Sequence, residues 1–478
     1  AGGRATAEAP VETDTDEMVF MPTEGGGYQL KGGTLDKVLC RLTHDKHTAA
    51  EEDAHAFVLG YDKFASAAQV LDFLRQRFRG AVEASEGAGA GAGAGRDDAR
   101  NVMVNVVMFA EKWVALRGDV VSGDDELVVS FGALGEMILQ SGVLVGMLRD
   151  STATLNALME MLQNTVPPPL WEQHRDGLQR QRPTPRSSVL RLQAAAQKLQ
   201  VYEEVDRIVS VRVRGRVSNK AAKLLGAGGN QPQSGPENTL LDYEPVQVAQ
   251  QLTLLTHCLL TKLSHQELLS MRFRDKEATP NFFWLKTVTN RVSFVLMSEI
   301  LRQSDVNARA RVIETIIRIA EVCYNMSNFD TLVSITSMLE STAIHRLRQT
   351  WAKVHKRAPG RWDALSELTG VAGRALERKQ AELTPPCVPC VGLMLKHVIN
   401  YAEEPTYLDA DGEKRIINFN KMRKVGRTVK LLKDAQDIAY LFDQESGILN
   451  FLVSKPPYES EDDCFERSVA LEAKKPQA

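Results

Sequence analysis

The stretch Pro385–Glu404, PPCVPCVGLMLKHVINYAEE, decides how the rest of the chain is interpreted. Its three prolines end any preceding helix, and after Cys390 the absence of proline allows a helix of several turns. At 100° per residue, one face of that helix carries an apolar stripe made of Val391, Met394, Leu395, Val398 and Ala402. An adjacent stripe carries Gly392, Lys396, Ile399 and Glu403. Periodicity alone predicts an ordinary amphipathic helix with Ile399 at the border of its apolar face.

The composition is that of a globular protein with more than one domain. The chain has 478 residues, of which 43% are hydrophobic and 25% charged. Its net charge of −3 gives no general attraction to nucleic acid, so no nucleic-acid partner is expected. Six scattered cysteines fit a reducing compartment, and the small, acidic first residues lack the pattern of a signal peptide. We therefore expect a cytoplasmic protein.

Apolar periodicity and breaker residues predict an all-α fold with two helical domains. Residues 1–32 are rich in glycine and acidic residues and are expected to be disordered. Residues 33–165 show helical periodicity without strand-like alternation, and residues 241–475 form a second, larger helical domain. Residues 166–240 form a linker that contains a run of three prolines.

Two segments outside the predicted domains' cores invite a functional interpretation. Within the first domain, the insert 86–96 contains a strict glycine-alanine alternation from Gly87 to Gly95, but no apolar strand precedes it and no P-loop lysine follows, which favours a flexible insert. Within the linker, Val209–Val217 and its four nearby arginines fit either a surface for anionic lipid or a solvated segment.

Four blocks in the second region resemble the catalytic domain of Ras guanine-nucleotide exchange factors, in the order found in that family. They are Asp242–Pro245 with Ala249–Leu255, Thr289–Leu301, Asn328–Trp351, and Pro385–Glu404 with Ile416–Val425. The stretch Gly33–Phe78, together with Phe109–Val114, is similar to the Ras exchanger motif that precedes this domain. The resemblance implies a protruding helical hairpin whose first helix enters the nucleotide site of a small GTPase.

That resemblance implies a function without covalent chemistry, cofactor or metal ligands. The expected partner is a Ras-subfamily GTPase of Ras, Rap or Ral type, from which the chain would promote GDP release. Through that GTPase the chain would be recruited peripherally to a membrane. The alternative is a helical scaffold that binds a GTPase but does not exchange its nucleotide.

The resemblance also assigns candidate residues. Ile399 falls where the family places a hydrophobic or small residue at the GTPase magnesium site, and Glu403 falls on the glutamate that competes for groups binding the α-phosphate. Val333 matches an apolar position facing switch 2, and Lys286 lies near a basic position that contacts a switch. At three further contact positions the chain departs from the family's usual residues, with Cys390 for an aromatic residue, Lys396 for threonine and Glu340 for asparagine.

Two other motifs have chemical interpretations. Cys387 and Cys390 form a CxxC sequence at a helix start, which fits a redox pair or two small packing residues. No βαβ pattern surrounds them, so packing is favoured. His44 and His47 are spaced for one helix face, but no third metal ligand is evident, and a surface pair is favoured.

Overall fold

The computed structural model describes residues 17–22, 28–44, 51–87, 93–122, 125–141, 238–370, 374–409, 415–458 and 460–473. These residues are mainly helical, which confirms the predicted all-α class. They divide into two compact units. One comprises the described residues before 187 together with Ile399–Lys430, and the other comprises the described residues 238–398 and 431–473. Among the described helices, none is long and apolar enough to cross a membrane.

The first unit is built around an aromatic core. Its N-terminal elements are β1 (Met18–Pro22), β2 (Tyr28–Gly33), α1 (Leu35–Leu42), α2 (Glu51–Gly60), α3 (Ala67–Gly87), α4 (Gly93–Ser122) and α5 (Asp125–Gln140). Trp113 on α4 makes edge-to-face contacts with Tyr61 and Phe131, at centroid distances of 5.3 and 5.5 Å. Phe57 contacts Phe109 in the same manner at 5.7 Å. These large side chains are almost fully buried, so they contribute a large apolar surface to the core of this unit.

The second unit is a helical assembly around α6, α8, α9 and α10. Its helices are α6 (Pro245–Leu260), α7 (His265–Leu269), α8 (Pro280–Leu301), α9 (Val306–Asn325), α10 (Phe329–Glu340), α11 (Thr342–His345), α12 (Arg348–Arg357), α13 (Arg361–Thr369), α14 (Ala375–Ala381), α15 (Val391–Glu403), α16 (Phe419–Asp437), α17 (Ser446–Ser454) and α18 (Glu461–Leu471). Local sequence signals set several starts. Asp305 accepts a hydrogen bond from the Ala308 amide and caps α9, and Asn328 accepts one from Thr331 and caps α10. Residues 399–430 cluster with the first unit. Helix α15 therefore ends in the first unit, and helix α16 begins there.

A four-stranded antiparallel sheet in the first unit joins distant parts of the chain. Between α15 and α16 lie β3 (Tyr407–Asp409) and β4 (Ile416–Asn418), and the strand order is β1-β2-β4-β3. Gly32 pairs with Asn418 and Gly33 with Ile417. A Cβ atom on Gly32 would lie 2.4 Å from the Ile417 carbonyl oxygen, so this close pairing requires glycine.

The sheet corrects one prediction made from the sequence. Residues 1–32 are not disordered throughout, because Met18–Pro22 and Tyr28–Gly33 are strands. Glycine and acidic residues suggested disorder, whereas Gly32 in fact permits close approach to β4. The partner strand lies almost 400 residues away, so no local pattern could reveal the pairing.

The domain boundaries expected from the sequence differ in part from the two compact units of the structure. The sequence predicts one domain for residues 241–475, whereas the contacts place Ile399–Lys430 with the N-terminal residues. In the glycine-alanine segment, α3 extends to Gly87 and α4 begins at Gly93, and residues 88–92 lie outside the described residues. The predicted linker 166–240, with its arginine-rich stretch, also lies outside them except for residues 238–240.

Candidate functional site

The segment that precedes α15 is fixed by backbone hydrogen bonds to the start of α10. The Val388 amide donates to the Ser327 carbonyl at 2.9 Å, and the Phe329 amide donates to the Val388 carbonyl at 2.8 Å. The Val391 amide donates to a carboxylate oxygen of Asp330 at 3.0 Å. These bonds set the position and direction of the first turn of α15. Asp330 was not singled out from the sequence, because its partner is a backbone amide 61 residues away.

The two faces predicted for α15 are present. Val391, Met394 and Val398 are buried, and they hold the helix on the second unit's core. Leu395 is half-buried and Ala402 is exposed, so the apolar stripe is narrower than its periodicity suggested. Every residue of the adjacent stripe is exposed, namely Gly392, Lys396, Ile399 and Glu403. Ile399 is among the large hydrophobic residues that face solvent, with 43% of its surface accessible.

The end of α15 is held by the first turn of α16, within the first unit. Lys421 Nζ donates to the Glu404 carbonyl at 2.5 Å, and Lys424 Nζ lies 2.6 Å from the Glu404 carboxylate. Burial lowers the pKa of Lys421, and the negative charge of Glu404 partly offsets that effect. Glu404 therefore has a structural partner, whereas Glu403 beside it is exposed and its carboxylate meets no cation among the described residues.

Arg423 connects this return segment to the N-terminal elements of the same unit. Its guanidinium donates to both carboxylate oxygens of Asp53 at 2.7 and 3.2 Å, and to the Leu30 carbonyl at 3.0 Å. The side chain of Arg423 is only 3% exposed. A buried guanidinium with three acceptors fixes the orientation of α16 relative to α2 and β2. The sequence suggested no role for Arg423, because Asp53 lies 370 positions away.

The remaining candidate residues lie in the second unit. Lys286 on α8 is exposed, and its positive charge lowers the pKa of Asp330, although burial dominates and raises that pKa overall. Val333 on α10 is half-buried. Glu340 is exposed and accepts a hydrogen bond from the Ser366 hydroxyl at 2.9 Å. Lys396 is exposed and pairs with Glu377 of α14, its Nζ lying 2.8 Å from Oε1.

The geometry of the CxxC motif does not favour thiol chemistry. Both cysteines are buried and unbonded to one another, and the Cys390 amide donates to Gln380. Burial raises the pKa of Cys387 to about 11 and that of Cys390 to about 12. A reactive thiol needs a lowered pKa and access to solvent, so these residues act as small packing groups. Among the described residues, no cluster of three or more His, Cys, Asp or Glu could hold a metal ion, and His47 lies outside them.

Comparison with known proteins gives a consistent assignment for this region. The family model described as the RasGEF domain matches residues 247–423. The human Ras-specific guanine nucleotide-releasing factor 1 is 30% identical over 240 residues, which are 49% of this chain and 19% of the human protein. The mouse Ras-specific guanine nucleotide-releasing factor 2 is 29% identical over 236 residues, covering 48% of this chain and 20% of that protein.

A relative from a third organism gives a similar match. Ras guanine nucleotide exchange factor Q of Dictyostelium discoideum is 31% identical over 231 residues, covering 47% of this chain and 17% of that protein. The chain thus spans about a fifth of the length of these curated relatives. The stretch that resembles the Ras exchanger motif lies before the matched residues. The matched residues 247–423 contain α15 and its exposed stripe, so the similarity to the RasGEF domain covers the candidate site.

Proposed function

We propose that this chain is a guanine-nucleotide exchange factor, which promotes GDP release from a Ras-subfamily GTPase through the exposed stripe of α15. The observation that carries the proposal is the exposure of Ile399 and Glu403 on a helix whose neighbouring face is buried. An apolar residue exposed one turn from a carboxylate has no role in this chain's own core. In a RasGEF domain, such a pair is available to a partner.

The proposed reaction makes and breaks no covalent bond in the chain. Exchange requires only that the factor bind nucleotide-free GTPase more tightly than loaded GTPase, and by linkage the factor and the nucleotide then weaken each other equally. Each tenfold of this antagonism requires about 1.4 kcal/mol of differential contact. The side chains of the stripe must supply that difference.

Ile399 and Glu403 can act on different parts of the nucleotide site. The apolar side chain of Ile399, placed at the magnesium site, would disfavour the cation that neutralises phosphate charge. The carboxylate of Glu403 would repel the phosphates and accept hydrogen bonds from the amides of the emptied phosphate loop. Their separation by four residues places both on one face of α15.

The competing proposal is a scaffold that binds a GTPase without exchange. The hydrogen bond between Ser366 and Glu340 favours it, because a carboxylate that is engaged within the chain is a weaker acceptor for a partner. Release of fluorescent GDP from a panel of Ras-, Rap- and Ral-type GTPases separates the two proposals. Exchange predicts faster release from at least one GTPase, and loss of that effect in the Ile399→Ala/Glu403→Ala double variant. A scaffold predicts binding with unchanged release.

We also propose that the chain works at an anionic membrane surface, in line with a membrane-bound partner. Between Ser341 and Trp362 the sequence has no acidic residue but six basic ones: Arg346, Arg348, Lys353, Lys356, Arg357 and Arg361. Helix α12 buries Thr350, Trp351 and Val354 and leaves Arg348, Lys353 and Lys356 exposed. Three such cations contribute about 3 kcal/mol near anionic lipid.

Vesicle sedimentation tests this recruitment. The Arg348→Gln/Lys353→Gln/Lys356→Gln variant should bind vesicles containing phosphatidylserine more weakly than the parent, and neither should bind phosphatidylcholine alone. The control variant Lys31→Gln/Arg79→Gln/Arg100→Gln removes the same charge from exposed positions elsewhere. Equal weakening in both variants would show that only net charge matters, and α12 would have no special role.

A further inference from the structure

An ion pair lies on the exposed stripe that the proposed function uses. Lys396, in the middle of that stripe, extends its ammonium to Glu377 Oε1 at 2.8 Å, across the contact between α15 and α14. The Lys396 side chain is 58% exposed and that of Glu377 is 29% exposed. The pair is therefore open to a partner that approaches the stripe.

Glu377 is the anion of the pair, and its carboxyl also experiences the positive charge of Arg374. The hydrogen bond from Lys396 lowers the pKa of Glu377, so that carboxyl is ionised at neutral pH. His397 Nε2 lies 3.9 Å from the same carboxylate oxygen, but burial lowers the pKa of His397 and keeps it largely neutral. Lys396 is consequently the charged group that Glu377 orients.

The ammonium retains hydrogen-bonding capacity after it has paired with Glu377. A lysine has three N–H donors, and in the part of the chain that the structure describes Glu377 is the one side-chain acceptor within bonding distance of Lys396. The remaining donors are available to a partner. The pairing also restricts a flexible four-carbon side chain before any partner binds, which reduces the entropy lost on association.

We propose that Glu377 is a positioning residue, which holds Lys396 as a specificity contact for a GTPase that offers a carboxylate or main-chain carbonyl opposite the stripe. This inference rests on the proposed exchange function. A GTPase with a cation at that place would be disfavoured by like-charge repulsion. The contact does not depend on the nucleotide, so it should act equally on the loaded and the empty GTPase.

Uniform binding of this kind has a kinetic signature. A contact that is equally strong in both complexes changes the KM for the GTPase and leaves kcat almost unchanged. Loss of Ile399 or Glu403, whose contacts belong to the nucleotide-free complex, should lower kcat instead. The split between KM and kcat therefore distinguishes positioning of Lys396 from the action of the two other residues.

A double-mutant cycle tests the inference. Lys396→Met should raise the KM for the preferred GTPase about tenfold, the size of one charge-assisted hydrogen bond. Glu377→Gln should raise it several-fold, and the double variant should resemble Lys396→Met alone. The control is Glu382→Gln, which breaks the exposed pair with Lys379 (3.1 Å) at the end of α14 and should leave KM unchanged.

The exchanged pair, Lys396→Glu with Glu377→Lys, separates positioning from a structural role. It restores an ion pair within the chain but presents the opposite charge to the partner, so it should recover thermal stability without recovering KM. Recovery of KM, or additive effects of the two single variants, would overturn the inference while leaving the proposed function intact. A parent chain that releases GDP from no GTPase of the panel would overturn both.

Discussion

Ile399 and Glu403 have side chains that the chain's own fold hardly uses, whereas Glu404 beside them is bound to Lys421 and Lys424. The carbonyl of Glu404 accepts from one lysine and its carboxylate pairs with the other, so Glu404 holds the end of α15. Of these two adjacent glutamates, Glu404 therefore contributes contacts to the fold, whereas the side chain of Glu403 is exposed. This difference allows function and stability to be tested separately at neighbouring positions.

At this scale we predict that Glu403→Ala changes the free energy of unfolding by no more than about 0.5 kcal/mol, the range of exposed positions. It should nevertheless slow GDP release about tenfold or more, because it removes a contact made with the nucleotide-free GTPase. Ile399→Ala should also slow release, with a slightly larger stability cost. Thermal melts and release of labelled GDP measure the two effects.

The control is Glu404→Gln, which weakens the pair with Lys424. It should cost up to about 1 kcal/mol of stability and retain most of the exchange activity. If instead Ile399→Ala unfolds the chain and neither glutamate affects release, α15 is an ordinary amphipathic helix and the roles proposed for its stripe are wrong.

At the scale of elements, two helical glycines lie in contrasting environments, one packed against another helix and one exposed. Gly426 on α16 lies against α2, where a Cβ atom would come within 2.8 Å of the Ala56 Cα. Gly80 on α3 is exposed, and a Cβ atom there would meet nothing within 4 Å. The same substitution should therefore have opposite effects at these two helical positions.

We predict that Gly426→Ala destabilises the chain by about 1–3 kcal/mol, because backbone atoms must move to admit the methyl group. Gly80→Ala should stabilise it by up to about 1 kcal/mol through the lower backbone entropy of alanine in the unfolded chain. Chemical denaturation of both variants measures these changes. Destabilisation of equal size at both positions would contradict the close contact of α16 with α2.

Some of these structural elements could be predicted from the sequence, and others could not. The two stripes of α15 were predictable, since helical periodicity places Val391 and Ile399 on different faces whatever surrounds them. The complete sheet was not, because β2 pairs locally with β1 but joins the three-residue strand β4 across almost 400 residues. For the same reason Asp330 and Arg423 escaped notice, since each acts through a partner that is distant in the sequence.

At the scale of the whole molecule, residues before 141 complete a sheet and a buried ion pair that the return segment cannot form alone. We predict that a chain beginning at Asn238 releases GDP more slowly than the full chain. Without β2, the amides of β4 should exchange with solvent faster, and Arg423 would lose both Asp53 and the Leu30 carbonyl. Removal of residues 1–16 alone is the control. Equal exchange activity in the truncated and full chains would show that the N-terminal residues do not support α15.

The last described residues stabilise the middle of the chain through one buried carboxylate. Glu472, after α18, accepts from the Gln349 and Thr350 amides at 2.9 and 3.0 Å, and from the Thr350 hydroxyl at 2.7 Å. It also pairs with Arg309 of α9 at 3.2 Å, and the Arg309 side chain is fully buried. A single side chain thereby connects α9, α12 and the end of α18.

This connection should make stability depend on pH in a defined direction. Burial alone would raise the pKa of Glu472, but its hydrogen bonds from Thr350 and Gln349 and its pairing with Arg309 outweigh burial and lower it. A carboxyl with a lowered pKa stabilises the fold above its unfolded pKa of about 4.3, and that contribution is lost as the pH falls through the folded value.

Glu472→Gln should therefore lower the free energy of unfolding by about 3 kcal/mol at pH 7, because buried Arg309 loses its counter-ion. The variant should then lose less further stability than the parent between neutral and acidic pH. Urea denaturation across that range measures the difference, with exposed Glu466→Gln on α18 as the control that should follow the parent. A parallel pH dependence in parent and Glu472→Gln would mean that other carboxylates govern acid unfolding and that this connection contributes little.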